Sequence, residues 1–405
     1  MLNIKKIRRD FPILKRKIYG HPLVYFDNAA TTQKPQKVID TINKFYIYSN
    51  SNIHRGAHYM SDEATISYEK VRASVKSFIN SKHLEEIIFT KGTTDSINLV
   101  ASSFGRLIIS EGDEIIITIM EHHSNIVPWQ MICEEKKAKL LTIPINDKGG
   151  MLFDEFEKLL SIKTKFIAIT HVSNTLGTIN PIKKIINKAH LFNVPVLIDG
   201  AQAVAHTKID VQDLDCDFYV FSAHKMYAST GVGILYGKEK WLNEMPPYQG
   251  GGSMIKSVNI NKSIYSELPH KFEAGTPNIA GIMSIDPAIL YMEDVGLHEI
   301  EDYEHQLLEY ATQEIMKIKG VSIIGIMDDK TSILSFIVDG KHPSDIGIIL
   351  DKLGVAVRTG HHCTEPLMRC LNISGTVRAS FAFYNTFQEV DIFINAVKLA
   401  IKMLN

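Results

Sequence analysis

The chain has 405 residues, 45% hydrophobic and 22% charged, with 44 Lys and Arg against 45 Asp and Glu for a formal net charge of -1. That length exceeds one ordinary core and points to two packed domains, while the even charge gives no electrostatic case for nucleic acid or an acidic membrane surface. Met1 to Asp10 is basic but lacks the apolar stretch of a secretory signal, and no later run is long and charge-free enough to span a bilayer, so a cytoplasmic protein with no membrane role is expected.

Helix and strand patterns alternate from Val24 to about Tyr291, as an α/β fold with a mostly parallel sheet requires. Val38, Ile42, Phe45 and Tyr46 make one apolar helix face. Ile87-Ile88-Phe89 reads as a strand that runs through Gly92-Thr93-Thr94 into the amphipathic Ile97 to Val100. Glu114 to Ile119 reads as a buried strand before His122-His123, and Phe166 to Ile169 as another. Val194 to Ile198 ends at Asp199, and Phe218 to Phe221 ends at Ser222-Ala223-His224-Lys225. After residue 292 a helical run, Glu299 to Ile318, precedes strand patterns at Ile333 to Val338, Val355 to Val357 and Val377 to Phe383, and a closing helix carries Val390, Phe393, Ile394, Val397 and Ile401 on one side. The expected organisation is a segment 1–23 packed with the small domain, a large domain 24–291 and a smaller α+β domain 292–405.

Lys225 and Asp199 each follow an apolar strand pattern, and functional groups in α/β sheets collect at strand ends. A lysine amine that holds an aldehyde as a Schiff base, with a carboxylate to keep a pyridine nitrogen protonated, is the requirement of pyridoxal phosphate; Gln202 lies close after the carboxylate. The cofactor's phosphate needs hydroxyls and backbone N–H groups at a helix start, which Thr93 and Thr94 supply, with Ser222 and His224 facing them. His122 is placed to stack on the ring and act in proton transfer. Neither His122-His123 nor His361-His362-Cys363 has the spacing of a chelate, and no metal is expected.

The four cysteines, Cys133, Cys216, Cys363 and Cys370, show no CxxC pair and suggest reduced thiols. Cys363 stands out in a loop among Arg358, His361 and His362, cationic and titratable neighbours that favour a thiolate. Cys133 and Cys216 lie in helical and strand-like surroundings, where a small core residue is expected. Arg378 sits opposite the apolar face of its strand and is suited to clamp a substrate carboxylate.

These residues belong to blocks that run almost the length of the chain: Tyr25 to Ala30, Asn52 to Gly56, Gly92-Thr93-Thr94, Met120 to Asn125, Thr170 to Asn174, Asp199 to Gln202, Ser222 to Lys225, Phe272 to Pro277 and Arg358 to Cys363. Together they resemble the pyridoxal-phosphate-dependent cysteine desulfurases of the second group, the SufS type. The resemblance implies fold type I, aminotransferase-like, and a homodimer in which Thr276 of one subunit reaches the phosphate held by the other. It implies Lys225 as the cofactor lysine, Asp199 on the pyridine nitrogen, Gln202 on the ring oxygen and His122 on the ring face. Asn174, Arg358 and Arg378, with His54, would bind the substrate, and Cys363 would carry a persulfide.

The implied reaction converts L-cysteine to L-alanine and passes sulfur to an acceptor of the SufE or SufU kind for iron-sulfur cluster assembly. A selenocysteine lyase acting on L-selenocysteine and another fold-type I enzyme use the same scaffold; a non-enzymatic sulfur-transfer scaffold leaves the reactive groups unexplained. The chain departs from the family pattern at Ala228-Ser229, where Gly-Pro is common, and at Gln249 and Asp95, where glutamates are frequent.

Overall fold

A computed structural model describes residues 2–405. In chain order the elements that position the site begin with β1 (Val24–Tyr25), α1 (Tyr59–Phe78), β2 (Ile87–Thr90) and α2 (Thr93–Val100). They continue with β3 (Glu114–Thr118), β4 (Lys139–Ile143), β5 (Thr164–Thr170), β6 (Val196–Asp199), β7 (Phe218–Ser222) and β8 (Gly233–Gly237). Seven of these strands form one sheet in the order β2-β8-β7-β6-β5-β3-β4, parallel throughout except β8, which runs antiparallel to both neighbours.

The strands are apolar almost without interruption because both faces of the sheet are covered. Ile115 and Ile117 of β3, Phe166 and Ala168 of β5, Leu197 of β6, and Phe218 and Val220 of β7 enter one cluster. Their alternates Ile116, Ile167, Ile169, Val196, Ile198, Tyr219 and Phe221 enter the cluster on the other side. Each fully buried Ile, Leu, Val or Phe among them contributes about 1.5–3 kcal/mol. The pairing aligns the carboxyl ends of β3, β5, β6 and β7 along one edge, where α/β sheets bind their ligands.

The C-terminal elements are α3 (Leu297–Met316), β9 (Val321–Ile324), β10 (Ile333–Val338), β11 (Val355–Ala356), β12 (Arg358–Gly360), β13 (Thr376–Ser380) and α4 (Phe387–Leu404). Four of them form an antiparallel sheet in the order β9-β10-β13-β12. Leu307, Ala311 and Ile315 of α3 pack there with Phe336 of β10 and with Val390, Phe393 and Val397 of α4. A capping box fixes the start of α4, Thr386 accepting from the Glu389 N–H while Glu389 accepts from that of Thr386.

Near the amino terminus, β1 pairs in parallel with β11 and Val24 and Phe26 enter the C-terminal cluster, whereas Ile7, Phe11 and Leu14 pack in the larger core with Tyr227 and Phe383. Arg8 crosses to Glu389 at 2.9 Å. The chain therefore stitches the two sheets together before it enters the large one.

Three expectations shift. Tyr46 is exposed rather than on the apolar face with Val38 and Phe45, because the helix passes into a π-helical turn at Phe45–Ser49 that changes its phase. The strand expected at Val355 to Val357 ends one residue early as β11, and a separate strand, β12, follows Val357. The one expected to reach Phe383 ends at Ser380, where Phe381 donates its N–H to Ser332 instead of to the ladder. No helix among the described residues is long and apolar enough to cross a membrane.

Candidate active site

At the carboxyl edge of the large sheet, Thr93, Thr94, His122, Asn174, Asp199, Gln202, Ser222, His224, Lys225, Arg358, Cys363 and Arg378 line one cavity of about 260 Å3. Every expected site residue lies there except His54 and Thr276. His54 bonds Glu69 in front of α1, and Thr276 is exposed beside Lys91, Asp95 and Gln249 in another groove.

Asp199 ends β6 as a buried carboxylate whose Oδ1 accepts the Ala201 N–H at 2.9 Å. Burial raises its pKa, opposed by that hydrogen bond and by the Lys225 charge. Lys225 closes a one-turn 3-10 helix directly after β7, and burial pushes its amine down to about 8, with Asp199 pulling the other way. Gln202 donates from Nε2 to the Ala29 carbonyl at 2.7 Å, which fixes its side chain against the cavity wall.

The start of α2 forms the opposite side. Thr93 donates its N–H to Ser222 Oγ at 2.8 Å and its hydroxyl lies 2.6 Å from the same atom; Thr94 Oγ1 lies 2.7 Å from Ser124 Oγ. These hydroxyls ring the positive end of an eight-residue helix, an arrangement suited to a phosphate. Above them, His122 Nδ1 accepts the Ser124 N–H at 3.1 Å, which leaves the ring proton on Nε2. Burial, with Lys225 next, pushes this imidazole down to about 3, so it is neutral.

Arg378 is 2% exposed. Its Nη1 donates to the Asn174 carbonyl at 2.7 Å and its Nη2 to Asp27 at 3.3 Å, while Nε has no partner. Burial lowers its pKa to about 10. Arg358 grips the same Asp27 through Nε and Nη2 at 3.0–3.3 Å; those bonds raise its pKa. One carboxylate thus holds two guanidinium groups side by side.

Cys363 is exposed at the cavity and, like His362, has a left-handed backbone, φ 59° and 52° respectively. Such strain persists only where surrounding contacts enforce it. Asn174 donates to the His362 carbonyl at 2.7 Å, His362 Nε2 lies 2.8 Å from Thr376 Oγ1, and Thr175 and Thr364 hydroxyls meet at 2.8 Å. The His123 N–H donates to the Cys363 carbonyl at 2.7 Å, and its Nε2 accepts from the Glu365 N–H at 3.1 Å. Cys133 and Cys216 are buried, their thiols pushed up by burial, Cys133 to about 11, while Cys370 is exposed and does not line the cavity.

Three contributors escape sequence reasoning. Asp27 lies 331 residues before Arg358 and 351 before Arg378, a pairing no local spacing reveals. His123 reads as half of a pair with His122, yet its role is to tie down the cysteine loop. Glu121 is wholly buried below the cavity, accepting from Thr118 at 2.6 Å, Asn125 at 2.7 Å and the Thr170 N–H at 2.9 Å, and burial pushes it up to about 8. Its one sequence signal is a charge set directly after an apolar strand.

The pocket fits pyridoxal phosphate. A buried carboxylate facing the cavity wants a cationic ring nitrogen, a lysine with a lowered pKa wants an aldehyde, and a helix start ringed by four hydroxyls wants a phosphate.

Comparison with known proteins agrees. The aminotransferase class-V family pattern matches residues 24–393, and the chain belongs to that family, whose members use pyridoxal phosphate. It is 50% identical over 398 residues to a probable cysteine desulfurase of Mycolicibacterium paratuberculosis, covering 98% of this chain and 58% of that protein. The chain thus spans about three-fifths of that longer relative. It is 48% identical over 396 residues to a cysteine desulfurase of Enterobacter sp., covering 98% and 97% of the two chains. A cysteine desulfurase from Thermococcus onnurineus superposes with a TM-score of 0.94 at 37% identity, covering 100% of this chain and 99% of that one.

Proposed function

We propose that the protein is a cysteine desulfurase that converts L-cysteine to L-alanine and transfers the sulfur to Cys363. The observation that carries this reading is a single cavity lined by an amine, a carboxylate, two guanidinium groups and an exposed thiol. When bound, pyridoxal phosphate supplies an electron sink that makes the Cα–H bond acidic and the Cβ–S bond breakable. Lys225 anchors it, Asp199 holds its ring nitrogen, Gln202 its ring oxygen and His122 its face, and Thr93, Thr94, Ser222 and His224 receive its phosphate.

The substrate carboxylate sits on Arg378 and Arg358, with Asn174 beside them, in the bidentate geometry that guanidinium groups favour. Lys225, with its lowered pKa, moves the Cα proton. Neutral His122 presents Nε2–H as a donor while Ser124 holds its other nitrogen. The Cys363 thiolate attacks the substrate sulfur: the Cβ–S bond breaks, an S–S bond forms, and the two electrons leaving with carbon are captured by protons to give L-alanine. The balance is L-cysteine plus Cys363 thiol giving L-alanine plus Cys363 persulfide. No external oxidant or reductant enters.

The same reading has two further parts. Cys363 stands on a short, pinned loop, which favours an acceptor protein of the SufE or SufU kind docking at the cavity mouth, with iron-sulfur cluster assembly in the cytoplasm as the destination. Thr276 is exposed and outside its own chain's cavity, which favours a homodimer in which it serves the partner's phosphate.

The test is mass spectrometry of the purified protein after addition of L-cysteine. One extra sulfur on the Cys363 peptide with equimolar L-alanine is expected; Cys363→Ala retains the cofactor and loses sulfur transfer. Release of a keto acid, or the extra sulfur on Cys370, overturns the reading.

A further inference from the structure

Away from the cavity, the ligating atoms of His54, Glu69 and His270 lie within 4.8 Å of one another, and none of the three lines the active-site cavity. His54 Nε2 is 3.0 Å from Glu69 Oε1, and the His54 and His270 rings meet edge to face at 5.0 Å. A tetrahedral ion with bonds of about 2.0–2.2 Å spaces its donors by about 3.4 Å. The first pair is already that close, and the His270 nitrogen lies within 4.8 Å of both.

The surroundings hold these groups in place. His54 has a left-handed backbone, φ 69°, with its N–H fixed on Thr65 Oγ1 at 2.8 Å, a strained conformation that clusters at functional sites. Arg72, buried, donates from Nε to Glu69 Oε2 at 2.8 Å and, at a longer 3.4 Å, from Nη2 to Oε1, the oxygen that His54 Nε2 meets at 3.0 Å. Metal-ligating carboxylates are oriented by such outer hydrogen bonds. The guanidinium charge is already met by Glu273 at 2.8 and 3.0 Å. Two carboxylates therefore face one cation, and one negative charge is left over.

We propose that His54, Glu69 and His270 form a binding site for a divalent cation of the zinc type. Two imidazole nitrogens and one carboxylate oxygen are a zinc donor set, and with the side chains of His54 and Glu69 still 29% and 37% exposed, the fourth position opens to water. The ion clasps three separate segments: the loop before α1, α1 itself, and the turn His270–Phe272 that leads to Thr276.

The competing description of the same atoms is a hydrogen-bonded His54–Glu69 pair, and metal titration separates the two. The holoenzyme carrying Cys363→Ala and Cys370→Ala, so that no exposed thiol competes, is freed of metal by a chelator and dialysed against zinc chloride. One zinc per chain and a rise in melting temperature are expected. Adding His270→Ala, or independently His54→Ala, should abolish both, with the cofactor absorbance retained as the measure of folding. The loss should exceed the roughly tenfold to hundredfold that removal of an outer-shell partner causes. No zinc in the protein without exposed thiols, or zinc retained by both histidine variants, overturns the proposal. Because binding is read without substrate, failure of the desulfurase reading leaves this result untouched.

Discussion

Asp27 is the residue on which the proposed substrate pocket turns, because both guanidinium groups lean on it and only Arg358 has access to solvent. Removing one partner of a buried ion pair leaves a charge with nowhere to go, typically at about 3–5 kcal/mol. Asp27→Asn should therefore lower stability by roughly that amount in urea unfolding. It should also raise the KM for L-cysteine more than it lowers kcat, since the variant keeps Lys225 and Cys363. An unchanged KM would remove Asp27 from the positioning of the carboxylate site. The contrast with Lys225 and Asp199 shows what sequence carries. Asp199 ends one apolar strand and Lys225 closes the turn after another, so local order alone marks them, whereas Asp27 gains its meaning from a partner more than three hundred residues away. The Cys363 loop is intermediate: its cationic neighbours were visible, but its strained backbone and its tether to His123 exist only in three dimensions.

At the scale of elements, the cofactor cup depends on how closely the start of α2 approaches β8. Gly233 pairs with Thr90 on one side and Ser222 on the other, and a Cβ there would lie 2.4 Å from Gly92 Cα and 2.5 Å from Thr90 Oγ1. Backbone cannot yield as a side-chain tip can. Gly233→Ala should push α2 away from β7, break the Thr93–Ser222 contact, cost about 1–3 kcal/mol of stability and weaken pyridoxal phosphate binding at least about tenfold, equivalent to about 1.4 kcal/mol. Titration of the cofactor into the apoprotein measures this; unchanged affinity would mean that the cup does not depend on that approach. The departure at Ala228-Ser229 has a similar local meaning, since the Ser229 N–H donates to Ser284 Oγ at 3.0 Å, a bond that proline cannot make. Element types were legible because period and burial agree along each strand. Their ends were not, since Ser380 and Phe45 mark places where tertiary contacts or a π-turn override the apolar run.

For the molecule as a whole, we propose that the chain divides near residue 292 into the two units of the sequence reading. Stability should also follow pH in a defined direction. Burial, the largest cause in each, holds His122 and His362 down to about 3, and His171 and His224 down to about 4, against about 6.5 in the unfolded chain. All four are neutral in both states above that value. Below it the unfolded state binds more protons, so stability falls as pH drops from about 6.5 toward 4, by at most about 1.4 kcal/mol per pH unit for each histidine. His206 runs the other way: Glu304 outweighs its burial and raises its pKa. His362→Gln should remove close to one proton of uptake when the apoprotein unfolds near pH 5, as calorimetry in buffers of different ionisation enthalpy would show. An unchanged uptake would mean that this imidazole is already charged when folded.

The assembly is tested by asking whose pocket Thr276 serves. If it reaches the partner's phosphate, a subunit with Lys225→Ala but intact Thr276 complements one with Thr276→Ala but intact Lys225. Random re-pairing of equal amounts makes half the dimers mixed, and in a two-fold assembly each of those has one complete site of its two. Mixing should thus recover about a quarter of wild-type turnover, from parents that are inactive and impaired respectively. A threonine acting on its own chain's phosphate gives no recovery, because every intact Lys225 then sits in a chain that lacks Thr276. A monomer cannot complement at all, and light scattering at the assay concentration distinguishes that outcome from a cis threonine. Recovery above the Thr276→Ala level therefore establishes both the dimer and the shared site, which the groove holding Thr276 apart from its own cavity leads us to expect.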